Sequence, residues 1–318
     1  MACRFEVTLE GEDAPHVAAA REALDEVDRI EAALTVFRDT SELVRLNRLA
    51  GREPVVVDRE LLDLLGLCRE IHDSTEGAFD VTTTPLSRCW GFLARAGRLP
   101  EADEIEQARS VIGMTGVLLD PAESTVRFRR SGMELNLGSI GKGYALRRMA
   151  ALLKARRVER ALLSAAGSSV LAWGGRGRGF AIDLCSRLVA RQCLARVLLR
   201  EGALGTSGAG EQFVVVDGVR YGHVLDPRSG WPARGVLSAT VITSDAPMAD
   251  ALSTAFLVGG AELASRYCAA HDDVLALVTL DDGSERQQVL GRYAGATLED
   301  MSETAEGRPV SLPLRGEG

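Results

Sequence analysis

The stretch TSDAPMADALSTAFLVGG, residues 243–260, constrains the fold more than any other part of this chain. From about 246 to 258 it reads as a helix whose faces are almost entirely Ala, Leu, Met, Phe and Val. A helix apolar on every side belongs in an interior, so the rest of the chain has to wrap around it. The same helix nevertheless carries a carboxylate, Asp250, and four residues later a hydroxyl, Thr254. At that spacing both side chains project from one side. Ser253 is the remaining polar residue within it. Ser244 or Asp245 is the expected N-cap, and Pro247 suits the first turn. A buried carboxylate needs a partner, and no Lys or Arg lies in this helix to supply one. Two partners stay open, a distant arginine or a cation. A carboxylate with a hydroxyl suits Mg²⁺, which takes few protein ligands and completes its sphere with water or phosphate. The metal is the expectation.

The second constraint comes from lysine. The chain has two lysines, Lys142 and Lys154, against 35 arginines. Lys142 stands between two glycines in LNLGSIGKGYALRRMAALL, residues 135–153, where a strand leads into a helix. Closely spaced glycines let backbone approach an anionic ligand, and a helix N-terminus offers unpaired N–H groups and a positive dipole end. Lys142 adds a point charge, and Ser139 lies in the same loop. The alternative is a solvated lysine in an ordinary turn. The sequence SAAGSS, residues 164–169, is a second small-residue turn and contains Ala165 and Gly167; GTSGAGE, residues 205–211, is a third and contains Ser207. Three such loops suit a nucleotide held among backbone segments, although each is also explicable as a plain turn.

In RYGHVLDPRSGWP, His223 and Asp226 flank the end of a hairpin strand, where Pro227 stops the ladder and Gly230 permits a turn. A histidine there beside an acid suits a general base; a hydrogen-bonded structural histidine is the alternative.

With 318 residues, 46% hydrophobic and 26% charged, the chain reads as globular. A net charge of -8 argues against a general nucleic-acid or anionic-membrane surface. No apolar run reaches membrane-spanning length. The start, MACRFEVTLEGED, enters a strand without a basic and then apolar leader, so a cytoplasmic location is expected. Six cysteines without CxxC spacing are expected to be reduced.

Along the chain the pattern predicts a strand at 3–9 and helices near 14–36, 41–49 and 58–73, the first capped by Asp13. A loop follows at 74–92. Hairpins turn at Asp120–Pro121, Asp217–Gly218 and within 274–291, and MELNL is read as a strand. Further helices are expected near 142–156, 246–258 and 260–271. Mixed order with several hairpins predicts an α+β fold, a single large compact domain over 1–297 with a mobile tail at 298–318.

Taken together, these segments resemble the ApbE-type FAD:protein FMN transferases. SELVRLN at 41–47 is similar to the family's early SELSRLN-like stretch. GAFDVTTTPL followed by Trp90-Gly91-Phe92 resembles GAFDxTxxPL…WGF, and residues 136–145 resemble DLGGIAKGYA. YGHVLDPRSGWP is similar to YSHILDPRTGYP, and ADALSTAFLVGG to ADALATALFVLG. The resemblance implies Mg²⁺-dependent transfer of FMN from FAD to a Ser or Thr hydroxyl of an acceptor protein, releasing AMP. It implies that Asp250, Thr254 and the Gly141 carbonyl hold the metal, with His223 near the reacting pyrophosphate and Lys142 holding its charge. Asn136, Ser139, Gly141, residues 164–168, Ala209–Gly210 and the N-terminal MACRF depart from the family pattern. Two alternatives therefore stand beside transfer: FAD pyrophosphate hydrolysis, and a flavin-binding or carrier protein that has lost turnover. Acceptor segments of the family end in Gly-Ala-Thr or Gly-Ala-Ser, and residues 295–297 match this, which makes Thr297 a candidate for self-modification; a separate acceptor protein is the expectation.

Overall fold

The computed structural model describes residues 3–185, 193–210, 212–283 and 286–300. Its centre is a seven-stranded sheet in which the order across the sheet follows the order along the chain. The strands are β1 (Phe5–Leu9), β2 (Ala161–Ala165), β3 (Ser169–Trp173), β4 (Gly202–Gly208), β5 (Val236–Thr243), β6 (Leu275–Leu280) and β7 (Gln287–Gly291). Every neighbouring pair is antiparallel.

The pleat sends successive side chains to opposite faces, and both faces are covered. Val241, Ala276 and Val278 point into the helical core, while Ile242, Leu275 and Leu277 join a second cluster. That second cluster is closed by a three-stranded sheet of Phe180–Cys185, Cys193–Leu199 and Ala296–Asp300. The helical side carries α1 (Val17–Leu34), α2 (Glu42–Leu49), α3 (Arg59–Ser74), α6 (Gly141–Ala155) and α7 (Ala246–Ala270), while α4 (Thr84–Cys89) and α5 (Ala102–Arg109) build a third cluster with Trp90 and Leu225. The chain is thus α+β, as its patterning predicts.

The all-apolar helix α7 lies where its composition requires, with Leu252, Phe256 and Leu257 fully buried. It runs across β4 and β5, and α6 packs on it in turn. Gly260, at φ 75° and ψ −176°, breaks it at the boundary expected between two helices. Two glycines set how closely its first turns are approached. A Cβ at Gly143 would stand 2.2 Å from the Ala246 carbonyl oxygen, and one at Gly205 would stand 2.4 Å from that of Ala249. The start of α6 and the middle of β4 are therefore pressed against the same end of α7.

Several local expectations differ from what is found. MELNL forms no strand, only a bridge between Thr83 and Glu134. The loop at 74–92 contains α4, with Pro85 in its first turn. Asp13 does not cap α1; its carboxylate accepts the backbone N–H groups of Glu159 and Arg160 at 3.1 and 2.9 Å. The strands Phe180–Cys185 and Cys193–Leu199 and helix α5 lie in stretches that the patterning leaves unassigned. The strand Ala296–Asp300 runs past residue 297, and the rest of the expected tail, 301–318, lies outside the described residues. All six cysteines are unpaired.

Candidate active site

The site grows from the junction of α6, α7, β3 and β4. Asp250, one turn into α7, is only 2% exposed. Its Oδ1 accepts a hydrogen bond from Ser169 Oγ at 2.9 Å, and its Oδ2 accepts the Gly143 backbone N–H at 3.0 Å. Lys142 Nζ stands 3.5 Å from Oδ1. The partners expected for this carboxylate are an arginine or a cation; the structure supplies a lysine from the glycine loop. Burial of Asp250 is therefore no argument for a metal by itself.

The N-terminus of α6 is also less open than its glycines suggest. Among its first N–H groups, Gly141 donates to Leu137 O at 2.7 Å, Gly143 to Asp250, and Tyr144 to Ile140 O at 3.0 Å. An anion here meets the ammonium of Lys142 and the helix dipole more than a set of free donors. Ser139 lies half-buried in the preceding loop. That loop keeps its turn despite Asn136, because Asn136 Oδ1 accepts the Gly138 N–H at 2.9 Å, as a carboxylate oxygen would. The Asn136 N–H donates to Val81 O at 2.8 Å, which ties the loop to the GAFDVTTTPL segment. There Asp80 Oδ1 accepts from the Thr82 N–H and hydroxyl at 2.7 and 2.6 Å, and burial pushes the Asp80 carboxyl above its ordinary range.

Thr254 projects one turn beyond Asp250. Its Oγ1 is 3.0 Å from Ser207 Oγ on β4, and Ser207 Oγ is 2.8 Å from Ser253 Oγ. Ser253 Oγ in turn donates to the Asp250 carbonyl at 2.8 Å. Ala165 ends β2 directly across from Ser169, and Gly167, at φ 68°, completes the turn between them. Asp250, Lys142, Thr254, Ser207, Ala165 and Gly141 thus come together, with Ser169, Gly143 and Ser253 joining them. Those three are not singled out by the sequence reading. Ser169 closes the quoted small-residue turn, Gly143 flanks Lys142, and Ser253 lies three residues after Asp250, spacing that faces neighbouring groups.

His223 and Asp226 lie beside this cluster with partners of their own. The path from Ser207 continues to Ala209, whose carbonyl would be 3.3 Å from a Cβ at Gly222, next to His223. His223 Nδ1 is 3.1 Å from Gln212 O, and its ring meets the edge of Phe92 with centroids 6.5 Å apart. A carbonyl only accepts, so Nδ1 carries the proton and Nε2 of the neutral ring keeps its lone pair. Asp226 does not pair with this histidine. Its carboxylate accepts from the Arg228 N–H, Nε and Nη2, each at 2.9 Å. Asp226 also lines a cavity of about 450 Å³ with Trp231, Arg234 and Val258. Val258 follows Thr254 by one turn, so the cavity opens on the side of α7 that carries the site. Trp90 anchors the loop, donating from Nε1 to Gly230 O at 2.9 Å and meeting Trp231 edge-on at 5.4 Å.

The fold that carries this lysine–carboxylate–hydroxyl cluster is the fold of ApbE proteins. It superposes on the ApbE protein of Thermotoga maritima with a TM-score of 0.83 and 30% identity, covering 91% of this chain and 94% of that one. The apo flavinyl transferase ApbE of Pseudomonas stutzeri gives 0.78 and 25% over the same shares. The model of the ApbE family matches residues 1–278, and the chain belongs to that family. A protein named FAD:protein FMN transferase from Klebsiella pneumoniae (strain 342) is 32% identical to it, over 79% of this chain and 78% of the relative. One from Treponema pallidum (strain Nichols) is also 32% identical, over 82% and 76%. No helix among the described residues is long and apolar enough to cross a membrane.

Proposed function

We propose that this chain transfers the FMN moiety of FAD to a Ser or Thr hydroxyl of an acceptor protein, with Mg²⁺ assisting and AMP leaving. The observation that carries the reading is the convergence of Asp250, Lys142 and Thr254 at the glycine loop, in a chain of the ApbE family. The acceptor oxygen attacks the FMN phosphorus as the bond to the AMP phosphate breaks, and the hydroxyl proton passes to His223 Nε2. Lys142 holds negative charge on the pyrophosphate, and Ser139 and Gly167 in their turns, with Ala165 and Ser207 at strand positions beside them, wall the flavin nucleotide. Asp226 fixes the 226–231 turn beside the cavity.

The donors fit Mg²⁺ in chemistry, since all are oxygens: the Asp250 carboxylate, the Thr254 hydroxyl and the Gly141 carbonyl. Among the described residues no three His, Cys, Asp or Glu side chains group into a metal cage, and an ion held by these three oxygens would take its remaining ligands from water and phosphate, as Mg²⁺ does. When bound, it draws charge from the phosphate oxygens. The test is incubation of the protein with FAD and Mg²⁺, with and without a peptide containing Gly-Ala-Thr. AMP release coupled to an FMN mass gain on the peptide is expected. AMP release without peptide labelling would make the chain a hydrolase, and bound flavin with neither product would make it a carrier.

A further inference from the structure

Ser253 is fully buried inside α7, between the two residues proposed as metal ligands in its own neighbourhood. It sits within hydrogen-bond distance of two oxygens, the Asp250 carbonyl at 2.8 Å and Ser207 Oγ at 2.8 Å. A hydroxyl has one proton, and a carbonyl cannot donate. The Ser253 proton therefore goes to the carbonyl, and Ser207 must donate to Ser253. That spends the only proton of Ser207, so at the 3.0 Å contact with Thr254 it is Thr254 that donates.

The direction of the whole chain is thus set at its far end: Thr254 to Ser207 to Ser253 to the backbone of Asp250. We infer that Ser253 is a positioning residue that turns the Thr254 hydroxyl proton away from the site and presents the Thr254 lone pairs to a divalent cation. A helical threonine often bonds the carbonyl four residues earlier, which for Thr254 is that of Asp250. Ser253 occupies this carbonyl instead. With Ala at 253, Ser207 is free to donate to Thr254, and the threonine proton then points elsewhere, including toward the cation.

The inference rests on the proposed metal reading, and the experiment separates the two. Mn²⁺ is titrated into wild type, Ser253→Ala, Ser207→Ala, the double variant and Asp250→Asn, and free Mn²⁺ is read by electron paramagnetic resonance without any flavin. Ser253→Ala is expected to bind Mn²⁺ about 3- to 10-fold more weakly, the scale of one net hydrogen bond, with the melting temperature of the metal-free protein unchanged. Because the effect travels through Ser207, adding Ser253→Ala to Ser207→Ala is expected to weaken binding no further. Wild-type affinity in Ser253→Ala, or additive losses in the double variant, overturns the relay while leaving the metal reading in place. Equal binding by wild type and Asp250→Asn overturns the metal reading itself, and the relay with it.

Discussion

Lys142 Nζ lies 3.5 Å from Asp250 Oδ1, so the site's lysine and its buried carboxylate, 108 positions apart, neutralise each other in the ligand-free protein. Asp250 accepts from Ser169 and Gly143 as well, which leaves it held from several sides.

Asp250→Ala strands the buried Gly143 N–H, and leaving such a donor unpaired costs about 1–3 kcal/mol. Asp250→Asn keeps an oxygen for Gly143 and an amide that can donate to Ser169. The asparagine variant is expected to melt close to wild type and to lose Mg²⁺-dependent AMP release; the alanine variant is expected to lose both stability and turnover. Full turnover in Asp250→Asn would remove this residue from the metal site.

Lys142→Ala is expected to weaken FAD binding, and Lys142→Arg to restore it only in part. The ammonium stems from the first turn of α6, which packs against the Ala246 backbone through Gly143, where a compact charge fits better than a planar fork. Flavin fluorescence titration measures this. Equal affinity in wild type and the arginine variant would leave Lys142 only its role as counter-charge to Asp250.

His223 presents Nε2 as its basic nitrogen because Nδ1 faces Gln212 O. His223→Ala is expected to slow transfer by ~10²–10⁴-fold, the usual worth of a general base, with FAD affinity within a few-fold of wild type. Single-turnover kinetics with saturating FAD separate the two effects. An unchanged rate assigns the ring to packing against Phe92.

How much of this is legible from sequence depends on whether the signal is local. The all-apolar pattern of 246–258 places α7 in the core, and Asp217–Gly218 places its hairpin, because both are set by residues adjacent in the chain. Spacing four apart puts Asp250 and Thr254 on one side of a helix. The partnership of Asp250 with Lys142 is not legible, since periodicity carries no information on which distant cation arrives. Nor is the loss of the α6 donors, which depends on Leu137 and Asp250 both reaching the same turn. Asp13 reads as a helix cap from its neighbours, but the backbone of residues 159–160, distant in the chain and brought beside it by the pairing of β1 with β2, claims it. MELNL has the residues of a strand, and it forms none because only Glu134 of it finds a bridging partner.

The turn between β2 and β3 holds two left-handed residues, Ala166 at φ 51° and Gly167 at φ 68°. Glycine takes that conformation freely, whereas for alanine it costs roughly 1–2 kcal/mol. Asparagine tolerates it better than alanine. Ala166→Asn is expected to stabilise the fold by about 0.5–1 kcal/mol and to raise the melting temperature by about 1–3 °C for a chain of this size. Thermal melts of the two proteins in one buffer check it. A lower melting temperature would mean that the Ala166 methyl is better accommodated than its φ implies.

Thr297, the hydroxyl of the chain's own Gly-Ala-Thr, stands in a strand rather than a free turn. It pairs in register with Leu198, and its Oγ1 accepts from Arg200 Nη1 at 3.2 Å. Arg200 Nη2 also donates to Ala294 O at 2.7 Å, which fastens the entry to this strand. For Thr297 to enter the cleft of a neighbouring molecule, the strand Ala296–Asp300 has to leave its sheet and uncover Leu298, which packs on the second core cluster. The expected intact mass after incubation with FAD and Mg²⁺ is therefore that of the unmodified chain, under conditions where an added acceptor peptide gains FMN. A mass gain of one FMN that disappears in Thr297→Ala would show that the strand detaches and that this chain is its own acceptor.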